Sequence, residues 1–320
     1  MNKRILVLDM NNLFISRWYA DPSMSTDGQP IGGLKGVLKT LQKLCREAKP
    51  DKVVACWDGS GGSKKRKLIN KDYKEGRKPL RLNRVDRILS DEEEKQNRTW
   101  QMVRLMEYIN NIPVLQYAFD HLEADDLISF VVQLKEYKDW QKIIVSDDKD
   151  FYQLLDNKTV VYRAVQKEIL NKKDIVDKFE IHPLNFVVAR SMVGDSSDNL
   201  PGVTRVGMKT VKNRFSFLKE EKSYTMDDVF EYCKKADDKY KVYQSILEEE
   251  NKVRMNYKIM QLSCPMISAM NKEIIREVIS DFVPTFNKTE FKKMMHVDGF
   301  GNYDWTSLYQ NMKRITLDTQ

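Results

Sequence analysis

The stretch Ile143-Ile144-Val145-Ser146-Asp147-Asp148-Lys149-Asp150 constrains this chain most. An apolar, mostly β-branched run passes directly into three carboxylates. The run suits a strand buried on both faces of a sheet, and its acidic end falls where open α/β sheets bind ligands. Arg4-Ile5-Leu6-Val7-Leu8-Asp9 and Lys52-Val53-Val54-Ala55-Cys56-Trp57-Asp58 have the same form. One aspartate after a strand is an ordinary turn former. Three strands ending alike predict a parallel sheet that gathers Asp9, Asp58, Asp148 and Asp150 at one edge.

The intervening pattern supports an α/β chain. Gly28-Gln29-Pro30-Ile31-Gly32-Gly33 leads into a helix with apolar Leu34, Val37, Leu38, Leu41 and Leu44. That spacing is helical and makes the first β-α-β unit. A second helix is expected over Trp100–Ile109, then a short strand at Ile112–Leu115. His121–Val132 has helical spacing, with Glu123, Asp125 and Asp126 in its first turn. The helix dipole favours acids there, but three on one turn exceed what it calls for. Val160-Val161-Tyr162 predicts another strand, and Pro183 opens a helix through Val193.

Between the second strand and Thr99 the chain turns basic. Gly59-Ser60-Gly61-Gly62-Ser63 precedes Lys64-Lys65-Arg66-Lys67, then Lys71, Lys74, Arg77, Lys78, Arg81, Arg84 and Arg87. With no sustained apolar period, this segment is expected to order only on a partner. Dense base beside an acidic edge suits phosphate handling. Gly194 to Val211 reads as a turn-rich hairpin between helices, offering N–H groups and Lys209 to a phosphate strand. From Thr225 onward the pattern is helical, without a chemical motif. His296 to Gln320 is uninformative.

Composition narrows the chemistry. In 320 residues the net charge is +7, which favours an anionic partner. Cys45, Cys56, Cys233 and Cys264 form no CxxC pair, and His121, His182 and His296 are scattered, which disfavours structural zinc. Asp9 cuts the first apolar run short of a signal sequence, and no span approaches a membrane helix, so a soluble intracellular protein is expected. So many carboxylates in one cleft would raise each other's pKa unless cations intervene. Oxygen-only ligands select hard ions, Mg²⁺ or Mn²⁺, and paired ions are a recurring nuclease device.

The ordered motifs Asp9-Met10-Asn11-Asn12-Leu13, Trp57-Asp58, Tyr73-Lys74-Glu75-Gly76-Arg77, Glu123-Ala124-Asp125-Asp126, Ser146-Asp147-Asp148-Lys149-Asp150 and Gly194-Asp195-Ser196-Ser197-Asp198-Asn199-Leu200-Pro201-Gly202-Val203 resemble those of the 5′-nucleases. That family comprises flap endonucleases and 5′–3′ exonucleases, including the exonuclease domain of bacterial DNA polymerase I and phage ribonuclease H enzymes. The resemblance spans about residues 4–212. With no polymerase region, the chain looks like the free-standing type.

The resemblance implies a PIN-like parallel-sheet nuclease core over 1–180, with a helical arch insertion at about 59–99. A helix-hairpin-helix and C-terminal helical region would occupy 181–320. Asp9, Asp58, Glu123, Asp125, Asp126, Asp148, Asp150, Asp195 and Asp198 would hold two Mg²⁺ ions, with Mn²⁺ able to substitute. Asp9, Asp58 and Asp148 would be catalytic with Lys74 and Arg77, which would contact the scissile phosphate. Tyr73 would stack on an unpaired base. Gly202, Gly207, Lys209 and Thr210 would grip duplex phosphates, with a K⁺ ion at the hairpin. Arg205-Val206-Gly207 departs from the family's usual Gly-Ile-Gly, and Arg205 would add a phosphate contact.

The implied substrate is branched or nicked duplex DNA, or an RNA–DNA hybrid, with a 5′ single-stranded end. The implied setting is replication and repair in the cytoplasm of a bacterium or phage-infected cell. A monomer working beside replication proteins is expected. Two other readings compete: a DNA-binding protein that has lost its chemistry, and a PIN-like ribonuclease acting on single-stranded RNA. The complete acidic set disfavours the first, and the duplex-gripping hairpin disfavours the second.

Overall fold

The computed structural model describes residues 3–76, 89–236 and 240–317. Strands β1 (Arg4–Asp9), β2 (Lys52–Asp58), β3 (Leu115–Phe119), β4 (Gln141–Val145), β5 (Thr159–Arg163) and β6 (Glu168–Leu170) form one sheet. Their order is β3-β2-β1-β4-β5-β6, and every pair is parallel except the β5–β6 hairpin. β1 therefore lies between β2 and β4, the three runs that end in aspartate. Leu8 faces Val145 across one ladder and Asp9 faces Cys56 across the other. All three acidic ends emerge at one edge.

The strands alternate between two apolar layers, as a sheet covered on both faces requires. Ile5, Val7, Val54, Cys56 and Ile144 face one layer; Leu6, Leu8, Val53, Ala55, Trp57 and Val145 face the other. The second layer is covered by α1 (Met10–Ala20), α2 (Gly32–Ala48) and the later part of α4 (Asp91–Asn110). α2 presents the expected stripe, with Leu34, Val37, Leu38 and Leu41 fully buried. The first layer receives α5 (Ala124–Val132), and its core continues through α6 (Lys172–Phe179), α7 (Phe186–Val193) and α8 (Met208–Arg214).

The helices α9 (Met226–Lys235), α10 (Lys241–Glu248), α11 (Glu250–Met260) and α12 (Ala269–Asp281) extend that same core. The chain then crosses to the other face. α13 (Lys288–Val297) and α14 (Trp305–Leu317) bury Phe291, Leu308, Met312 and Ile315 in the layer shared with α2. Arg314 Nη2 anchors the last helix to Asp51 Oδ1 at 2.7 Å. The terminal stretch that carried no sequence signal thus closes one face of the sheet.

Three expectations need correction. The basic segment is not without structure: α3 (Lys64–Ile69) and α4, beginning at Asp91, fall within it. α4 starts nine residues before Trp100, because Ser90 and Glu93 form a reciprocal capping box at its N-terminus. Residues 77–88 of the arch lie outside the described residues, and Arg77, Arg81, Arg84 and Arg87 with them. The strand expected at Ile112–Leu115 is Leu115–Phe119 instead, since Pro113 cannot donate to a ladder and Asn111 to Pro113 form a turn.

Candidate active site

The chain's own polar groups staple the sheet edge together. Asp9 ends β1 and caps α1, accepting from the Asn12 N–H at 3.1 Å. The two asparagines that follow it bind the neighbouring strands. Asn11 Oδ1 accepts from the Asp58 N–H at 3.0 Å, and Asn12 Oδ1 accepts from the Asp147 N–H at 3.2 Å. Ser146 joins the other flank: its hydroxyl donates to Asp9 Oδ2 at 2.9 Å and accepts from the Asp148 N–H at 3.1 Å. Asp58 Oδ1 accepts from the Ala124 N–H at 2.8 Å, tying β2 to the start of α5. Asn11, Asn12 and Ser146 were given no role from sequence, although all three lie inside the acidic motifs.

Burial and crowding govern the carboxylates. Asp9 is pushed up to about 7 by burial and by the charges of Asp58 and Asp148, against the Asn12 and Ser146 hydrogen bonds. Asp150 is pushed up to about 8 by burial and Asp148, against the attraction of Arg190. Burial and the negative charge of Asp148 hold Asp125 well above the usual carboxylate range. Asp148 is likewise raised, chiefly by burial, although it caps the following turn through the Asp150 N–H at 2.8 Å. Burial also pushes Asp195 upward, but the Arg190 guanidinium and Ser197 outweigh it and hold the group low. Asp9, Asp125, Asp148 and Asp150 feel one another's charge and those of Asp58, Glu123, Asp195 and Asp198.

Asp126 and Asp147 face other tasks. Asp126 Oδ2 accepts from Arg66 Nη1 at 2.7 Å and Oδ1 from the Met266 N–H at 2.9 Å. It secures the segment after α11. Asp147 turns to the loop after β5, where its Oδ2 accepts from the Val165 N–H at 3.2 Å.

The basic groups divide in the same way. Arg66 is 3% exposed and binds Glu123 Oε2 at 2.9 Å, Asp126, and the Ile259 carbonyl at 3.1 Å. Lys65 Nζ donates to the Met266 carbonyl at 2.6 Å. Half of the Lys64–Lys67 run is therefore internal structure, while Lys64 and Lys67 remain exposed. Lys74 Nζ lies 2.9 Å from Glu123 Oε1. Burial pulls its pKa down, yet Asp125, Glu123 and Asp198 hold it above the ordinary lysine value. Tyr73 is 2% exposed and donates to Glu123 Oε2 at 3.1 Å. Its ring belongs to the core, contrary to the expectation that it stacks on an unpaired base.

The basic loop is strapped to the hairpin that follows α7. The Lys74 N–H donates to the Asp198 carbonyl at 2.9 Å, and Asn199 Nδ2 donates to the Asp72 carbonyl at 2.9 Å. Lys74 and Asn199 both take left-handed backbone, at φ 60° and 56°. In the hairpin, Gly194–Asp195 pairs antiparallel with Leu200–Pro201. Gly202 is required there, because a Cβ would stand 2.0 Å from the Val193 carbonyl oxygen. Arg205 occupies left-handed backbone at φ 63°, with its side chain exposed, as is that of Lys209. Gly207 caps α8, and Thr210 donates its N–H to the Gly207 carbonyl at 2.8 Å.

Arg190 on α7 escaped the sequence reading. Its Nε donates to Asp150 Oδ1 at 3.2 Å, its Nη1 to the Gly194 carbonyl at 3.2 Å, and its Nη2 pairs with Asp195 Oδ2. Its five-residue spacing to Asp195, across the helix end expected at Gly194, was the available signal. Among the described residues, no three acidic, histidine or cysteine side chains already stand together as a metal cage. Arg190 and Lys74 instead hold several of these acids.

A buried acidic edge on a parallel sheet, with a lysine loop tied across it, suits the handling of phosphate esters. The family model described as the 5′–3′ exonuclease N-terminal, resolvase-like domain matches residues 4–180. A 5′–3′ exonuclease of Buchnera aphidicola is 29% identical over 223 residues, covering 68% of this chain and 72% of that protein. DNA polymerase I of Bacillus subtilis is 28% identical over 215 residues, covering 65% of this chain and 22% of the polymerase. The bacteriophage T5 flap endonuclease, solved with DNA and metal ions, shares the fold with a TM-score of 0.66. It is 16% identical and covers 92% of this chain and 99% of its own. The chain belongs to the 5′–3′ exonuclease family, and its activity is hydrolytic cleavage of phosphodiester bonds.

Proposed function

We propose that this protein is a metal-dependent, structure-specific 5′-nuclease that cuts near the 5′ end of flapped or nicked duplex DNA and of RNA primers paired to DNA. The observation that carries the reading is the strap between Lys74 and Asp198. It fixes a basic loop directly over an acidic edge, so a phosphate held by Lys74 lies against the carboxylates. The donor set fits hard divalent cations. It contains only oxygen ligands, and burial and mutual repulsion raise Asp9, Asp125, Asp148 and Asp150 until cations discharge them.

Asp9, Asp58, Glu123, Asp125, Asp148, Asp150, Asp195 and Asp198 would hold two Mg²⁺ ions, or Mn²⁺, with Asp126 the least available acid. Bound there, the ions would activate water and neutralise charge on the reacting phosphate. The chain's own residues supply the rest. Asn11, Asn12 and Ser146 keep the strand ends in register. Lys74 positions the scissile phosphate, and Arg77 is proposed to act beside it. Gly202, Arg205, Gly207, Lys209 and Thr210 present backbone and positive charge to duplex phosphates, where a K⁺ ion would also fit the family's habit.

In this reading residues 1–180 form the nuclease core and 181–320 the hairpin and helical region, the last two helices returning to cover the core. The protein would act as a monomer in the cytoplasm of a bacterium or an infected cell, in replication and repair beside replication proteins. Among the described residues no helix is long and apolar enough to cross a membrane. The test is cleavage of a 5′-flapped duplex labelled on the flap. Products cut near the junction with Mg²⁺, and none with excess chelator, are expected. Cutting that is indifferent to chelator would refute the metal assignment.

A further inference from the structure

The acidic edge already contains a cation, and it is a side chain. Arg190 lies across Asp150 and Asp195, donating to both carboxylates and to the Gly194 carbonyl, and is 11% exposed. A guanidinium offers a rigid fork that matches paired carboxylates and stays charged at any working pH. We propose that Arg190 is a positioning residue that sets how tightly the Asp150–Asp195 side of the edge binds a divalent ion. It lies between two carboxylates proposed to help hold such an ion, so the guanidinium and the ion would compete for their oxygens.

The direction of the effect follows from what else holds those acids. Asp195 stays oriented without Arg190, because Oδ1 accepts from the Ser197 N–H at 2.8 Å and the Ser197 hydroxyl at 2.7 Å. Asp150 is fixed through its backbone, whose N–H donates to Asp148 Oδ1 at 2.8 Å. α7 itself is anchored by Asn256 Nδ2, which donates to the Ser191 carbonyl at 3.0 Å. Removing the guanidinium therefore removes a competing positive charge more than it disorganises the ligands. A unit charge a few ångströms from a divalent ion is a strong repulsion in a partly buried site. The residue would keep that side of the edge weakly bound and exchangeable, while holding its acids together until an ion arrives.

The inference rests on the metal-dependent reading above, and the experiment separates the two. Mn²⁺ binding to the full chain is followed by electron paramagnetic resonance of the free ion, without DNA or turnover. Wild type, Arg190→Gln and Arg190→Lys are compared, with circular dichroism to check folding. Arg190→Gln should tighten the weaker Mn²⁺ site about tenfold, whereas Arg190→Lys, which keeps the charge, should stay near wild type. Unchanged or weaker binding in Arg190→Gln would overturn the role assigned to Arg190 and leave the metal centre standing. Equal tightening in Arg190→Lys would also overturn it, since charge would not be the cause. Absence of Mn²⁺ binding in wild type and both variants would overturn this inference and the metal-dependent reading together.

Discussion

Single residues at this edge do one of two jobs, and sequence alone did not sort them. Asp9 and Asp58 were legible because each is the last residue of an apolar strand, and Asp148 because it lies in the acidic run that follows a third such strand, where the family resemblance singled it out from Asp147. Arg66 was not legible. It reads as one more base in Lys64–Lys67, yet its partners Glu123 and Asp126 are 57 and 60 residues away in sequence. Only the folded chain, with α3 against α11, brings Arg66 to the start of α5. Removing Arg66 takes the shared guanidinium from two buried carboxylates, leaving Glu123 with Lys74 and Tyr73 and Asp126 with the Met266 N–H. Arg66→Ala should therefore destabilise the protein by about 3–5 kcal/mol. Equilibrium denaturation measures this directly. A loss below 1 kcal/mol, with DNA binding weakened instead, would return Arg66 to the phosphate-binding set.

At the level of elements, the parallel neighbours β1, β2 and β4 and the main helices of the first two hundred residues were readable because apolar periodicity reports burial directly. Boundaries failed where a local signal was overlooked. Ser90-Asp91-Glu92-Glu93 carries the spacing of a capping box, but it was absorbed into the charged segment before it. The hairpin after α7 shows how unequal two glycines can be. A Cβ on Gly202 would collide with the Val193 carbonyl, whereas one on Gly207 meets nothing within 4 Å. Gly202→Ala should shift the hairpin, lower thermal stability and weaken binding to duplex DNA. Gly207→Ala should leave stability unchanged and retain most of the affinity. Thermal melts and fluorescence anisotropy on a duplex check both. Equal effects in the two variants would mean that the hairpin's backbone path is not what grips the duplex.

Across the whole molecule, the two faces of one sheet are covered by distant parts of the chain. One core runs from α5 through α12, and the other joins α1, α2 and α4 to α13 and α14. The last two helices had no chemical motif, so their covering role could not be read before the packing was known. They pack with α2 and enlarge the apolar layer behind β1, β2 and β4. In the proposed function this edge performs the cleavage and the surrounding basic elements hold the substrate. Asp148→Asn tests it most directly, because the change keeps size while removing one charge at the meeting point of β4 and the hairpin acids. Single-turnover cleavage of a 5′-flapped duplex in Mg²⁺, beside affinity for the same duplex, should show a rate lowered by at least about 10²–10³-fold. Affinity should stay within a few-fold of wild type. Cleavage at the wild-type rate, with binding lost instead, would place catalysis elsewhere than this edge.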